Sequence, residues 1–248
     1  MVVGFLWVCC GMAWAQTRPL NDTGNTFCGN ATKGNNSPCL GTEPSGQDRH
    51  YGRDAEALAG ILAKIGGSSG VNGFDFTKIA NNGSALPDSA VLGAAATEWA
   101  CTRDNVTGLI WEVKTVSGLR SRSHTYSWYM SASPDGNNGV SSGGTCATAG
   151  RCDTEKYVAD VNAVALCGFV DWRMPTAKEL LNLADFGKNG MGLDEKFFQN
   201  QASVGQAVWS GIRYAEGSCC SWATSGGTIG YLGRDRSDLA ILLVRGAR

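Results

Sequence analysis

The sequence predicts an α+β protein with two main helices and short mixed or antiparallel strands, preceded by a loop-rich N-terminal extension with one further helix. Helical spacing of apolar residues behind capping residues predicts the helices. Short aromatic and β-branched runs between turn residues predict the strands. The chain has 248 residues, 43% hydrophobic and 17% charged, which is typical of a folded protein large enough to bury a core.

Neither charge sign dominates the chain. It carries 21 Lys and Arg against 22 Asp and Glu, a formal net charge of -1, and neither sign collects in blocks. Proteins that bind nucleic acid usually carry a basic excess that neutralises phosphates. We therefore expect no nucleic-acid partner.

The start of the chain predicts an export signal. Residues 1–15 are uncharged and apolar and end in Ala13-Trp14-Ala15, the pattern that signal peptidase accepts, although the stretch lacks Lys and Arg. It is shorter than the roughly 20 residues of a membrane-spanning helix, and no later stretch is long and apolar enough. We expect cleavage before Gln16, no membrane span, and a location in the periplasm, at the cell surface or outside the cell.

Eight cysteines follow the predicted cleavage site, and an even number behind an export signal predicts disulfides in an oxidising compartment. They are Cys28, Cys39, Cys101, Cys146, Cys152, Cys167, Cys219 and Cys220. Proximity favours Cys28 with Cys39 and Cys146 with Cys152. A bond between the adjacent Cys219 and Cys220 would be strained, so we expect each to pair elsewhere. A zinc site needs grouped ligands such as C-x-x-C pairs with histidines, and the sequence has no such group, so we expect no metal.

The N-terminal extension, residues 16–96, is predicted to be rich in loops. Residues 16–52 are polar and contain many Gly, Asn and Thr. A helix is predicted near residues 54–65, with Asp54 as its cap and Gly66 after its end. Its apolar residues share one helix face and should pack against another element; they are Leu58, Ile61, Leu62 and Ile65.

Residues 66–70 match the G-x-S-x-G pattern of hydrolase nucleophile elbows. Such an elbow needs a strand before the serine and a helix after it, whereas a helix precedes it here, so a flexible connector is the better interpretation. His50 and His124 lie in polar, loop-like surroundings and are expected to be solvated surface residues rather than general bases. We therefore expect no enzymatic activity.

Residues 97–248 are expected to hold the main core, because most tryptophans lie there. Residues 107–113 predict a turn and a strand, and residues 131–150 predict a long loop held by Cys146. Residues 208–248 alternate short apolar pieces with turn residues, which predicts a meander of short strands.

Two helices are predicted in this part of the chain. The first runs from about Thr154 to Leu166, with Asp153 as its cap. The second begins at a capping box between Thr176 and Glu179, in which each side chain accepts an otherwise unpaired backbone N–H. Residues 180, 183 and 184 supply its buried side, and residue 187 closes it.

Four segments carry a resemblance to one family. They are residues 104–111 (DNVTGLIW), 167–176 (CGFVDWRMPT) with Glu179-Leu180, 208–210 (VWS) and 243–246 (LVRG). In this order they resemble the Lcl C-terminal domain family, first described as a domain of unknown function, over residues 97–248. The D-W-R-x-P-T-x-x-E-L run is the most specific of them. The resemblance implies a C-type-lectin-like fold.

The family motifs are interpreted as scaffold. Trp172 offers a large apolar body, Arg173 can bridge carbonyls or a carboxylate, and Pro175 with Thr176 fixes the entry into a helix. In C-type-lectin-like folds, ligand contacts come from loops near the C-terminal strands, and some similar proteins are targets of diversity-generating retroelements.

The matching tract is residues 214–239, where aromatic and charged side chains lie among glycines and serines, as in adaptable binding surfaces. The candidate ligand-binding residues are Tyr214, Trp222, Tyr231, Arg234, Asp235 and Arg236. The alternative is a solvated surface of strands and turns without a ligand.

Calcium is a further alternative, because many C-type lectins hold sugars through it. Residues 135–139 (DGNNG) and Asp194-Glu195 offer oxygen ligands, but the sequence has neither a complete EF-type loop nor a lectin sugar triplet. An Asx-Gly turn explains the first cluster equally well. We therefore expect no cofactor.

The leading hypothesis is an exported, non-enzymatic ligand-binding protein or adhesin that recognises a glycan or an extracellular protein through its C-terminal loops. The first alternative is a structural subunit of a surface fibre or pilus tip, which would form homo-oligomers. The second is a formylglycine-generating-type oxidase, which needs free thiols that bind copper, with Cys219 and Cys220 as the candidates.

Overall fold

The structure, a computed structural model, describes residues 20–246 except 33, 37, 66–69, 189–191, 202–205 and 226. The predicted signal peptide and residues 66–69 of the predicted connector lie outside the described residues. Across the described part of the chain, no helix has the length and apolar character needed to cross a membrane.

The described helices are short and the strands form small sheets. In chain order they are β1 (Cys28–Gly29), β2 (Asn35–Asn36), α1 (Gly52–Leu58), β3 (Phe76–Ala80), β4 (Ala85–Leu86), β5 (Trp99–Asp104), β6 (Ile110–Glu112), α2 (Thr154–Ala163), α3 (Ala177–Leu181), β7 (Val208–Arg213), β8 (Cys220–Ser225), β9 (Thr228–Gly233) and β10 (Val244–Arg245).

Among the described residues, the strands form three sheets with antiparallel pairing. One contains β1 and β2, the second has the order β10-β6-β5-β3-β4, and the third has the order β7-β8-β9. Few helices with several small antiparallel sheets confirm the predicted α+β class. The C-type-lectin-like architecture that the resemblance implies stays a prediction.

The N-terminal extension contributes β3 and β4 to the five-stranded sheet, which the sequence analysis did not predict. Strand β3 is hard to predict because Lys78 lies in its middle, and a lysine normally indicates a solvated position. Here Lys78 is 3% exposed, donates to the carbonyl of Ala90 over 2.8 Å, and holds its ammonium 4.1 Å from the Trp99 ring centre. The extension is thus partly loop and partly sheet.

Helix α1 ends at Leu58 rather than at Ile65, and Asp54 lies within its first turn instead of capping it. Gly60 has a φ of 71°, and the N–H groups of Gly60 and Ile61 bond back to carbonyls of the last turn, a termination that favours glycine. As a result Ile61 and Ile65 are 74% and 80% exposed. The predicted packing of this apolar side is wrong.

The predicted caps of α2 and α3 are confirmed. Asp153 accepts the backbone N–H of Lys156 over 2.9 Å, and Thr176 with Glu179 forms the reciprocal capping box. Both helices end earlier than predicted. After α2 the chain turns through Ala165, whose φ of 48° is incompatible with a continued right-handed helix.

The C-terminal part is a meander of strands, as predicted, and it is followed by a buried run that links the two larger sheets. Residues 239–244 are all buried. Ala240 bridges to Val208 of β7, and Val244 pairs with Trp111 of β6. The side chains of this run enter each of the three hydrophobic clusters of the described core.

Four disulfides join the eight cysteines. Cys28–Cys39 and Cys146–Cys152 are as predicted, and Cys101–Cys167 ties β5 to the turn after α2. The expectation that Cys219 and Cys220 pair elsewhere is wrong, since they are bonded to each other. Their bond lies where the turn before β8 meets the first residue of that strand, Cys220.

Candidate functional site

The predicted tract, residues 214–239, is mostly a β-hairpin rather than loops. Strands β8 and β9 pair along six positions, and Trp222 lies directly opposite Tyr231. Strand β7 ends just before Tyr214, so the turn from β7 to β8 brings that ring to the same place. Cross-strand aromatic neighbours of this kind pack against each other on one sheet face.

Three of the predicted residues form one cluster, the aromatic platform (Tyr214, Trp222 and Tyr231). Tyr214 stacks on Tyr231 with ring centres 4.3 Å apart and an interplanar angle of 25°. Trp222 stands edge-on to both rings, with centres 5.6 Å from Tyr214 and 6.1 Å from Tyr231. Tyr231 is 53% exposed, and the other two rings are half-buried.

This geometry defines what the platform can bind. A separation of 4.3 Å between Tyr214 and Tyr231 leaves no space for a cation or methyl group between the rings, so the cluster is not a cage. The outward faces of the rings are flat and apolar, and each aromatic face has a negative electrostatic potential. Such faces favour contact with positively polarised C–H groups. The Tyr214 hydroxyl donates to Glu216 over 2.7 Å, and this hydrogen bond raises the pKa of Tyr214.

Arg234, predicted to contact a ligand, is instead a buried structural residue and is 1% exposed. Its guanidinium lies 4.3 Å from the Trp128 ring centre and donates to both carboxylate oxygens of Asp135, over 3.1 and 2.7 Å. It also donates to the carbonyl of Cys220 and to the Ser221 hydroxyl. Arg234 therefore supports the hairpin from beneath and is removed from the candidate ligand contacts.

Asp235 and Arg236 are exposed, as a binding role requires. Arg236 pairs with Asp238 over 2.9 Å. The two residues border a shallow depression that Leu232 also lines. Leu232 and Tyr231 are neighbours in a strand and point to opposite faces of the sheet. The depression and the platform are therefore on different faces.

The residues 135–139 considered for calcium are held by the protein's own cation. Asp135 binds Arg234, and its pKa is lowered below its ordinary range, chiefly by that hydrogen bond and then by the Ser133 hydroxyl. The side chain of Asn137 donates to the carbonyl of Ser218 over 2.7 Å, which joins this loop to the β7–β8 turn. The loop is thus a support for the hairpin.

The side chains and backbone of the D-W-R-x-P-T motif make structural contacts. Trp172 is 2% exposed and its indole N–H donates to the carbonyl of Leu166 over 3.0 Å. Arg173 forms a bidentate ion pair with Glu179, over 2.9 and 2.7 Å. The carbonyl of Pro175 accepts a backbone N–H from β7. These contacts fix α3 against the sheet that carries the platform.

A second contact joins the motif to the C-terminus. Asp171 and Arg245 form a bidentate pair with both distances at 2.9 Å, and the Arg245 guanidinium lies 4.0 Å from the Phe169 ring centre. The LVRG and D-W-R motifs are distant in sequence, and this ion pair joins them in the fold.

A scan against protein-family models matches residues 100–245 to the Lcl C-terminal domain. The chain belongs to the Lcl C-terminal domain family. No curated protein and no solved structure matches the chain. The part of the chain that matches the Lcl C-terminal domain contains the platform, Arg234 and both residues of the Asp171–Arg245 pair.

Outside the matched Lcl C-terminal domain, the structure gathers carboxylates that the sequence analysis missed. Asp22, Asp48 and Asp54 have oxygen atoms within 4.8 Å of one another. Asp54 accepts the backbone N–H groups of Gly24 and Gly73 over 2.7 Å each, and burial raises its pKa. These bonds close the turns around α1. Because the three residues are distant in sequence, no local spacing indicates the cluster.

Proposed function

We propose that the protein is an exported, non-enzymatic binding protein or adhesin that recognises a glycan through the aromatic platform. The observation that supports this proposal most directly is the stacking of Tyr214 on Tyr231 beside Trp222, with Tyr231 53% exposed. Exposed aromatic side chains supply large contact area for little loss of conformational entropy. The four disulfides support a location outside the reducing cytosol, in the periplasm, at the cell surface or in the medium.

A glycan fits the platform better than a protein anchor does. Hot spots of protein interfaces are usually side chains inserted into desolvated pockets, whereas the closed Tyr214–Tyr231 stack offers flat faces without a pocket between them. A sugar ring presents one face of C–H groups that can lie on such a surface. An extracellular protein ligand is therefore the second expectation.

The platform is also held rigidly, which supports binding. Arg234 joins both neighbouring strands to Asp135, and Asn137 holds the β7–β8 turn. A preordered surface loses less entropy when a ligand binds. The oxidase alternative needs free thiols at Cys219 and Cys220, and these are joined in a disulfide.

The test is a glycan array and an extracellular-protein array, both probed with the mature protein. We expect glycan signals that weaken about fivefold for each of Trp222→Ala and Tyr231→Ala, since an aromatic contact is worth about 1 kcal/mol. Tyr51→Ala is the matched control, because Tyr51 is 62% exposed and lies outside the platform. Unchanged glycan signals for both platform variants would contradict the proposal. Signals on the protein array alone would favour an extracellular protein as the ligand.

A structural subunit of a fibre or pilus tip is the other candidate, favoured by exposed apolar side chains in the N-terminal extension. Leu40, Ile61 and Ile65 are 69%, 74% and 80% exposed, and their burial against another subunit would be favourable. Light scattering on the mature protein separates an assembling subunit from a monomeric binding protein.

A further inference from the structure

The disulfide between Cys219 and Cys220 lies at the edge of the aromatic platform. It occupies the point where the β7–β8 turn ends and β8 begins at Cys220. Bonded cysteines usually have Cα atoms about 4.4–6.8 Å apart, whereas these neighbours are 3.7 Å apart. This bond thus closes a ring over a single peptide unit, unlike the other three.

The backbone of these two cysteines holds the platform and its support. The carbonyl of Cys220 accepts the backbone N–H of Tyr214 over 3.1 Å and the Nε–H of Arg234 over 3.0 Å. The carbonyl of Cys219 accepts the backbone N–H of Arg234 over 3.0 Å. The carbonyl inside the peptide unit that the disulfide closes therefore holds the Arg234 backbone, and the carbonyl immediately after it holds the Tyr214 backbone and the Arg234 guanidinium.

The disulfide also opposes the natural course of the strand. Successive side chains in a β-strand point to opposite faces, but a bond between neighbours holds both sulfur atoms on one side. While the bond exists, Cys219 cannot turn its side chain to the opposite face, as the residue before Cys220 would in a regular strand. Once the bond is reduced, Cys219 is free to do so, and the β7–β8 turn that carries Tyr214 loses this constraint.

Exposure favours reduction at this bond before the others. Of the eight cysteines, Cys219 is the exposed one, and Cys220 is 8% exposed. Cys101 and Cys167 are both fully buried, and the other two disulfides each contain one cysteine that is 3% exposed or less. Exposed disulfides react first with thiols and are the more easily reduced class.

We infer that the Cys219–Cys220 disulfide is a redox switch for the platform: the oxidised protein holds the three rings together, and a dithiol reductant releases them. The thiolate of the reductant attacks the Cys219 sulfur and forms a mixed disulfide, while Cys220 leaves as a thiolate and takes up a proton. The second thiol of the reductant then closes its own disulfide and frees Cys219 as a thiol. The loss of ligand affinity on reduction rests on the proposed function, whereas the release of the rings does not.

The experiment titrates the mature protein with dithiothreitol and follows thiols and ring order separately. Thiol labelling with mass spectrometry should find Cys219 and Cys220 reduced first. Near-ultraviolet circular dichroism in the tryptophan and tyrosine bands should lose signal in the same step, and this loss should be absent in Trp222→Phe/Tyr231→Leu. Reduction of a different disulfide first, or full reduction of this one without a spectral change, would overturn the inference.

Two variants guard against general unfolding. Cys219→Ser/Cys220→Ser should have the spectrum of the reduced protein while keeping the far-ultraviolet spectrum of the fold. Cys146→Ser/Cys152→Ser removes a disulfide elsewhere and should keep the aromatic signal and its response to dithiothreitol. With a glycan in hand, the reduced protein and the first variant should bind about tenfold more weakly. If the oxidised protein binds no glycan, the proposed function fails, and the switch is judged on the spectra.

Discussion

At the scale of single residues, charge did not predict exposure. Arg234 and Lys78 are buried because each finds an aromatic face and hydrogen-bond acceptors. Lys114 is likewise buried, 2.6 Å from Glu112 and 2.9 Å from the Tyr157 hydroxyl. A sequence shows the charge of such residues but not their partners, so Arg234 was assigned to the surface when it belongs beneath it.

Asp135→Asn tests whether the carboxylate partner of buried Arg234 stabilises the fold. The pKa of Asp135 is lowered, so its ionised form favours the folded state. That contribution is complete above the ordinary Asp pKa of about 4 and is lost as pH falls through the lower folded pKa. We expect urea unfolding to show a less stable variant at pH 7 and a smaller dependence of its stability on pH below 4.

The matched control for this change is Asp238→Asn. Asp238 also pairs with an arginine, Arg236, but both side chains are largely exposed, and exposed pairs contribute little. Its unfolding midpoint should stay close to that of the unmodified protein. Equal midpoints for Asp135→Asn and the control at pH 7 would contradict a stabilising role for the Arg234–Asp135 pair.

At the scale of elements, the starts of α2 and α3 could be predicted, whereas the start of α1 and the ends of all three helices could not. The caps at Asp153 and Thr176 depend on local hydrogen bonds that the sequence displays. Helix α1 ends just before Gly60, which has a positive φ. The helical spacing of apolar residues continues beyond this glycine, so the spacing alone predicted a longer helix. Strand β3 was missed because Lys78 interrupts its apolar pattern, and the groups that allow this lysine to be buried, the Ala90 carbonyl and the Trp99 ring, are distant in sequence.

The candidate site was predicted only in part, because the sequence shows side-chain types but not the pairing of strands. Side-chain type indicated Tyr214, Trp222 and Tyr231, but the register that sets Trp222 opposite Tyr231 is a property of the sheet. The neighbouring bond between Cys219 and Cys220 could not be predicted, because spacing alone says nothing of the backbone conformation that permits it.

Thr176→Ala tests the capping box that begins α3. Loss of the hydroxyl leaves the N–H of Glu179 without its 3.1 Å acceptor, and replacement of such a cap costs about 1 kcal/mol. We expect the free energy of unfolding, measured by urea titration, to fall by about that amount. Thr148→Ala, in the exposed turn between Cys146 and Cys152, is the control and should change stability much less. A larger loss for the control would contradict the assignment of the cap.

At the scale of the whole molecule, the boundary of the family match does not coincide with the boundary of the core. The match begins at residue 100, inside β5. Strand β3, which precedes it, pairs along β5, and Phe74 and Phe76 are both 1% exposed. Asn21 at the start of the described chain also donates to buried Asp104 over 2.7 Å. The extension therefore completes the fold that presents the platform.

Residues 97–248 alone should therefore fail to fold cooperatively. Without the extension, β5 has an unpaired edge, and Phe197 and Phe198 lose Phe76, whose ring centre lies 5.5 and 5.2 Å from theirs. Each lost core phenylalanine costs about 3–5 kcal/mol, so Phe74 and Phe76 together approach the roughly 5–15 kcal/mol that stabilises a typical domain. A fragment of residues 70–248 is the matched control, since it keeps β3 and β4 and the same three disulfides. In urea, the control should unfold in one sharp transition and the shorter fragment in a broad one; equally sharp transitions would show that the matched region is an independent domain.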